Sequence, residues 1–320
     1  MKVQMLYSFL KKDIDLIEKE LENAVASNST LIKQASVNLL KAGGKRIRPV
    51  FVLLGAKFGN YEIERVKNVA VALELIHMAS LVHDDVIDDS KLRRGKPTVQ
   101  AEWDNRIAMY TGDYILASAL EYITKVDDLS AHQILADTLV EVCVGEIEQI
   151  KDKYRFNQNL RCYLRRIKRK TALLIAVSCQ LGAIAAGASD KIHRQLFRFG
   201  YNVGMSYQII DDILDFTGTE KQLGKPAGED LRQGNVTLPV LFAMEDPAIK
   251  KRLENVHEHM PKSELAATID MIKQSGAIEK SYEVSRCYLV KALDSLHGLP
   301  DSRFKKTLED LARYMGKRKF

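Results

Sequence analysis

The stretch Ala72–Arg94, ALELIHMASLVHDDVIDDSKLRR, decides the fold class. Its first half is apolar and rich in helix formers. Its second half places four aspartates, Asp84, Asp85, Asp88 and Asp89, within six positions. On a helix, residues i and i+4 share a face, so this spacing stacks Asp84 with Asp88 and Asp85 with Asp89. Negative charge is costly there. A helix C-terminus already carries partial negative charge and favours cations, and like charges at i,i+4 repel. A cation is therefore expected among these carboxylates.

A lone acidic cluster reads as a solvated helix end. Here the design occurs twice, because Tyr207–Asp215, YQIIDDILD, again runs from apolar residues into Asp211, Asp212 and Asp215. Two separated DDxxD units at the ends of apolar helices suit hard divalent cations. Mg²⁺ takes oxygen ligands, and one or two carboxylates plus substrate phosphates commonly hold it. The metal set expected on this basis is Asp84, Asp88, Asp211 and Asp215.

Working outward, residues 3–25 show Leu6, Phe9, Leu10, Ile14, Ile17 and Leu21 at helical spacing. A helix from about Thr30 to Lys41 is expected to stop at Gly43–Gly44, and Pro49 fits the first turn of the next. Pro97 is expected to break the central helix, and no proline follows until Pro226. That span, rich in Ala, Leu and Ile and without period-2 alternation, predicts long packed helices and no strand. The last third, after Pro239, reads as shorter amphipathic helices ending in the basic tail Gly316–Phe320. No low-complexity linker divides the chain, so one all-α domain over 1–320 is expected.

A hydrophobic fraction of 46% with 28% charged residues is ordinary for a soluble globular protein. The net charge of +6 is compatible with anionic substrates and is weak support for nucleic acid. Cys143, Cys162, Cys179 and Cys287 show no CxxC spacing, which points to free thiols in a reducing cytoplasm. The first residues lack a continuous apolar run, so no signal peptide is indicated. Thr171–Ala188 carries no charge over about the length of a membrane span. Its Thr, Ser, Cys, Gln and glycines dilute the hydrophobicity, and a buried core helix is the expected reading.

The cations come in three groups. Gly43–Arg48, GGKRIR, sets three positive charges before a helix N-terminus, where free N–H groups and the dipole favour phosphate. By themselves these residues read equally as a solvated basic turn. His77 lies two turns before Asp84, and a lone histidine in an apolar helix is more often a core residue. Arg93 and Arg94 follow the aspartates, where simple charge balance accounts for them. Arg161–Lys170 holds six further cations, expected to be mostly surface.

The two DDxxD motifs, with Gly43–Pro49 upstream and Gly224–Lys225–Pro226 downstream, resemble those of the trans-isoprenyl diphosphate synthases, and the likeness covers nearly the whole chain. It implies a bundle of long antiparallel helices around a central substrate cavity, the isoprenoid synthase fold. It also implies a Mg²⁺-dependent transferase that condenses isopentenyl diphosphate onto an allylic diphosphate such as farnesyl diphosphate. By resemblance, Lys45, Arg48, His77 and Arg94 hold isopentenyl diphosphate. Arg93, Lys170, Thr171, Gln208 and Lys225 contact the allylic diphosphate. Asp84, Asp85, Asp88, Asp211, Asp212, Asp215 and Lys170 form the catalytic set. Ala79 and Ser80, five and four residues before Asp84, and Ile76, eight residues before it, are small or apolar. They are expected to set product length, with ordinary close helix packing as the plain alternative.

The likeness is greater to the large catalytic subunits of two-component bacterial synthases that make the C35 precursor of the menaquinone side chain. It implies a cytoplasmic homodimer, or a heteromer with a small non-homologous subunit, with no nucleic acid partner and no transmembrane segment. A self-sufficient homodimeric hexaprenyl- or octaprenyl-type synthase is the alternative. A terpene cyclase is disfavoured, because its second metal motif typically departs from Asp211-Asp212-x-x-Asp215. A non-catalytic subunit on the same fold is disfavoured too, because such subunits often lose aspartates that are intact here.

Overall fold

The computed structural model describes residues 3–219 and 227–317. Among them the chain is all-α apart from one two-residue hairpin. A 3₁₀ helix over Val3–Leu10 leads into α1 (Lys11–Ala24), α2 (Thr30–Lys41), α3 (Ile47–Ala56) and α4 (Ile63–Ile87). After the hairpin come α5 (Val99–Glu102), α6 (Asn105–Ile123), α7 (Leu129–Asp152), α8 (Leu160–Ile167), α9 (Leu173–Ala185) and α10 (Asp190–Thr217). The C-terminal part holds α11 (Glu229–Arg232), α12 (Leu238–Ala243), α13 (Pro247–Leu253), α14 (Lys262–Gln274), α15 (Ala277–Ser295) and α16 (Arg303–Gly316). Two compact units form, the first from Met1–Ala136, Val177–Phe197 and Leu299–Leu308, the second from Asp137–Ala176, Arg198–Gly298 and Glu309–Phe320.

The first unit is built on α4. Val69–Leu73, Leu75, Ile76, Met78 and Ala79 are all buried, so this helix is apolar all round until its last turns. It packs along α6 and α3. Gly55 and Gly182 let α3 cross the 177–185 segment with backbones touching. A Cβ at Gly55 would collide with the Cys179 carbonyl, and one at Gly182 with that of Val52.

Three local features differ from expectation. The N-terminal segment enters as 3₁₀ helix, with Tyr7 at φ −125° and ψ 26°, before α1 begins. The Tyr7 ring is buried and its hydroxyl donates to the Lys45 carbonyl at 3.1 Å, which outweighs helical continuity. Next, α4 ends at Ile87, ten residues before Pro97. Asp88 is its C-cap and Asp89 turns left-handed at φ +46°, so Asp85 and Asp89 do not stack. Crowded like charge at the negative end of the dipole ends the helix before proline can. Finally, Leu92–Arg93 pairs antiparallel with Lys96–Pro97 across Arg94 (φ +53°) and Gly95 (φ +76°). Two left-handed residues in the loop match the twist of a tight hairpin.

The second unit has its core in Phe156, Tyr163, Ile167, Ile209, Ile210, Ile213, Phe216, Leu238 and Val240. Between α8 and α9, Lys168–Ala172 form one turn of π-helix, a distortion that often marks functional positions. The basic run is not mostly surface. Arg166 is buried and donates to the Val236 carbonyl and to Gln158, and Arg169 pairs with Glu141 and Glu148 of α7. The apolar stretch after Thr171 is a buried core helix, as expected. No helix among the described residues is long and apolar enough to cross a membrane. The four cysteines are free thiols.

Candidate functional site

In the first unit, the last turn of α4 delivers the aspartates with unequal burial. Asp85 is 3% exposed, whereas Asp84 and Asp88 are half-buried. Arg93 grips Asp85 in a bidentate pair, with Nε 3.0 and 2.9 Å from the two oxygens and Nη2 2.6 Å from Oδ1. Burial pushes the Asp85 carboxyl up, against the pull of Arg93. Buried Gln100 donates to the Asp85 and Ser90 carbonyls, and so pins the turn after the motif. Lys91 holds the exposed Asp89 at 2.7 Å.

Cations gather close by. A Cβ at Gly44 would come within 2.9 Å of the Arg94 Nη1 and 3.2 Å of the Arg46 Nη1, so the glycine admits both guanidinium groups. Burial, then the charges of Arg48, Arg94, Arg93 and Arg46, hold the His77 imidazole well below its usual range. His77 is therefore neutral at pH 7 and sits where four arginines converge. Lys45 is exposed and Arg48 half-buried at the start of α3. The structure thus brings Arg48, His77, Arg93 and Arg94 together, with Lys45 on the adjoining loop. Ile76 and Ala79 are buried, and Ser80 is half-buried with its hydroxyl on the His77 carbonyl.

In the second unit a hydrogen-bonded chain links the expected residues. The Thr171 hydroxyl donates to Gln208 Oε1 at 2.6 Å, and Gln208 Nε2 donates to Asp212 Oδ1 at 2.9 Å. The buried Tyr163 hydroxyl donates to Asp212 Oδ2 at 2.7 Å. Lys170, on the π turn, reaches Gln149 at 3.1 Å and Glu146 at 3.8 Å. Asp211 is exposed, and the Asp215 carboxylate accepts from the Asp230 N–H at 3.2 Å. Burial, then the charges of Asp230 and Asp211, push Asp212 up to about 7 despite the hydrogen bonds from Gln208 and Tyr163. Lys225 lies outside the described residues, as do Gly224, Pro226 and the last three residues of the basic tail.

The two motifs share a division of labour. In each, the middle aspartate is buried and engaged by protein donors, and the outer pair stands at i,i+4. Hard oxygen donors in such a pair, with the carboxylates of Asp211 and Asp230 near enough to raise Asp212, fit a divalent cation. No cluster of three or more His, Cys, Asp or Glu residues in metal-binding geometry occurs among the described residues, so a cation here would share its shell with substrate oxygens and water. Several participants carry no signal of their own in the sequence: Glu18, Glu74, Gln100, Glu146, Gln149, Tyr163 and Asp230, while Arg46, one of the three cations of the Gly43–Arg48 turn, is engaged by Glu18 and Glu74. Glu74, inside Ala72–Arg94, Tyr163, inside Arg161–Lys170, and Asp230, fifteen residues after Asp215, stood nearest to a recognisable signal.

An all-α chain with a carboxylate-bearing helix in each unit has the features of an isoprenyl diphosphate synthase, and the chain is a trans-prenyltransferase of that class. It belongs to the polyprenyl synthetase family, whose model matches residues 29–272. Heptaprenyl diphosphate synthase component 2 of Bacillus subtilis is 63% identical over 320 residues, all of this chain and 92% of that one. The protein of the same name from Geobacillus stearothermophilus is 62% identical over the full length of both. Among solved structures, heptaprenyl diphosphate synthase from Staphylococcus aureus superposes with a TM-score of 0.94 at 45% identity, covering 97% of this chain and 98% of that one. A polyprenyl synthase from Caulobacter crescentus, complexed with calcium and isoprenyl diphosphate, gives 0.94 at 30% identity, covering 99% and 98%.

Proposed function

We propose that this chain is the catalytic subunit of a two-component, cytoplasmic enzyme that adds isopentenyl diphosphate repeatedly to an allylic primer such as farnesyl diphosphate. The product is heptaprenyl diphosphate, C35, for the menaquinone side chain. The observation that carries the reading is end-to-end identity of 63% and 62% with two proteins named as component 2 of such a synthase.

Asp84, Asp88, Asp211 and Asp215 would hold Mg²⁺, which when bound supplies positive charge against a departing diphosphate. Arg93, Lys170, Thr171, Gln208 and Lys225 hold the allylic diphosphate and add charge to the same end. Lys45, Arg48, His77 and Arg94 bind isopentenyl diphosphate, with neutral His77 acting as a hydrogen-bond partner. Ionisation breaks the allylic C1–O bond. The C3–C4 double bond of isopentenyl diphosphate then attacks C1, and the proton lost from C2 restores a double bond. The released diphosphate is the acceptor of that proton, so no side chain is assigned as general base.

A C35 chain leaves poorly into water, because each buried CH₂ is worth about 0.8 kcal/mol. A small subunit that covers the product or aids its release meets that difficulty. A homodimer is supported by the exposed stripe Val140, Val144 and Ile147, at i, i+4 and i+7 on α7, an apolar face suited to a second copy. The test is product analysis by reversed-phase chromatography. The purified dimer should elongate little until the small subunit is added with Mg²⁺, and robust C35 synthesis by the chain alone would overturn the partner claim.

A further inference from the structure

Between Lys45 and Arg48 stands Arg46, in the left-handed region at φ 47° and ψ 40°, a conformation that side chains of this kind rarely adopt. Its own side chain is 10% exposed and fully engaged. Nε lies 2.5 Å from Glu18 Oε1, Nη2 lies 3.2 Å from Glu18 Oε2, and Nη1 lies 3.2 Å from Glu74 Oε1. Nη2 also donates to the Leu40 carbonyl at 3.1 Å. Two carboxylates from two helices, each 28 residues away, thus close on one guanidinium. Glu74 is buried on α4, three residues before His77. Glu18 comes from α1, and Tyr7 just ahead of α1 donates to the carbonyl of Lys45 itself.

Arg46 has little charge left for a ligand, because both carboxylates already neutralise it. It is built as an anchor. An unfavourable backbone conformation persists only where its surroundings over-determine it, and such positions cluster at functional sites. Here the surroundings are Glu18, Glu74 and the Leu40 carbonyl, and the backbone they hold runs directly into Lys45 on one side and Arg48 on the other. Gly44, against which Arg46 and Arg94 both pack, ties the anchor to a third member of the same group.

We propose that Glu18, acting with Glu74 through Arg46, is a positioning residue that sets the Gly43–Arg48 loop for isopentenyl diphosphate. This rests on the assignment of Lys45 and Arg48 to that substrate. The rival role is a plain staple for the N-terminal helix, which would affect stability and both substrates alike.

Calorimetric binding to the full-length chain in Mg²⁺ buffer separates the two, with isopentenyl diphosphate and farnesyl diphosphate as the probes. Glu18→Gln keeps the side-chain volume and is expected to raise the Kd for isopentenyl diphosphate about tenfold, the scale on which small misplacements of binding groups act. The Kd for farnesyl diphosphate should stay within about twofold, because Arg93, the residue assigned to that ligand in the same unit, pairs with Asp85 rather than with Glu18. Arg46→Lys, which keeps the charge but cannot span both carboxylates, should reproduce the selective loss. An unchanged Kd for isopentenyl diphosphate in both variants, or equal weakening of both ligands, overturns the proposal. Lys45→Ala reports on the underlying assignment. If it binds isopentenyl diphosphate normally, that assignment falls and takes the positioning role with it. If it weakens binding while Glu18→Gln does not, the positioning role alone falls.

Discussion

The two aspartate motifs share a pattern and are completed by opposite means. Asp85 is buried at a helix end, and an arginine eight residues on closes over both of its oxygens. Asp212 is buried five residues before the end of α10 and, among the described residues, accepts from the neutral donors Tyr163 and Gln208, with Asp211 and Asp230 adding like charge. The first motif carries its own counter-charge within the protein. Among the described residues, those that reach the middle aspartate of the second are neutral donors, and its carboxyl rises to about 7. Repetition in sequence therefore conceals a difference in electrostatics: a guanidinium closes on the first middle aspartate, and a phenol and an amide on the second.

The largest effect should come from the outer aspartates. Asp84→Ala and Asp211→Ala are each expected to cut turnover by at least about 10³-fold, or roughly 4 kcal/mol in the barrier. The helical circular dichroism should persist, because each substitution relieves like-charge repulsion rather than removing a core contact. Retained Mg²⁺-dependent activity in both variants would sink the metal assignment.

The motifs differ next in what precedes them. Five residues before Asp211 lies Ser206, fully buried and hydrogen-bonded to Ser285 at 2.9 Å, so that position is structural. Five residues before Asp84 lies Ala79, about 7.5 Å further along α4 at 1.5 Å per residue. Product length is accordingly expected to be set on α4. Ala79→Tyr should shift the main product toward C15–C20, read by chromatography of the dephosphorylated prenols, and an unchanged long product would place the channel elsewhere.

Removing the partner of each middle aspartate probes the contrast directly. Arg93→Ala strands a buried carboxylate, which costs about 3 kcal/mol in buried pairs and about 2 here because Arg93 is partly exposed. Tyr163→Phe removes one neutral hydrogen bond and should cost about 1 kcal/mol, since Asp212 can take up a proton instead. Denaturant melts that gave the reverse order would break the comparison.

What the sequence disclosed follows the range of the interactions involved. Helix Thr30–Lys41, its glycine stop and the i,i+4 aspartates depend on neighbours within one or two turns, so local pattern sufficed. The end of α4 at Ile87 was misplaced because proline was weighed above charge crowding. The Arg94–Gly95 hairpin was missed because two residues per strand leave no alternation to detect. Arg166 and Arg169 looked like surface because the Val236 carbonyl, Glu141 and Glu148 that engage them lie 21 to 70 residues away. Glu18, Tyr163 and Gln149 were illegible for the same reason. A hydrogen bond spanning 49 residues, such as that of Tyr163 with Asp212, has no signature in either segment alone.

The final contrast is a pH dependence peculiar to the second motif. Asp212 binds its proton more tightly in the folded chain than in the unfolded one, because its carboxyl is raised to about 7. Where the native state holds the extra proton, stability falls as pH rises. The fall should begin above about pH 4, the unfolded range for aspartate, and level off once pH passes about 7. In EDTA, the Asp212 contribution should lower the melting temperature by about 6 °C between pH 4.5 and 7.5, equivalent to about 3 kcal/mol. Mg²⁺ favours the ionised carboxylates and should flatten that slope. Asp212→Asn should flatten it without metal, because an amide has no proton to lose. Differential scanning calorimetry of the two proteins with and without Mg²⁺ gives the answer. If Asp212→Asn retained the full slope in EDTA, the raised carboxyl would belong to another group, and the contrast between the two middle aspartates would fall.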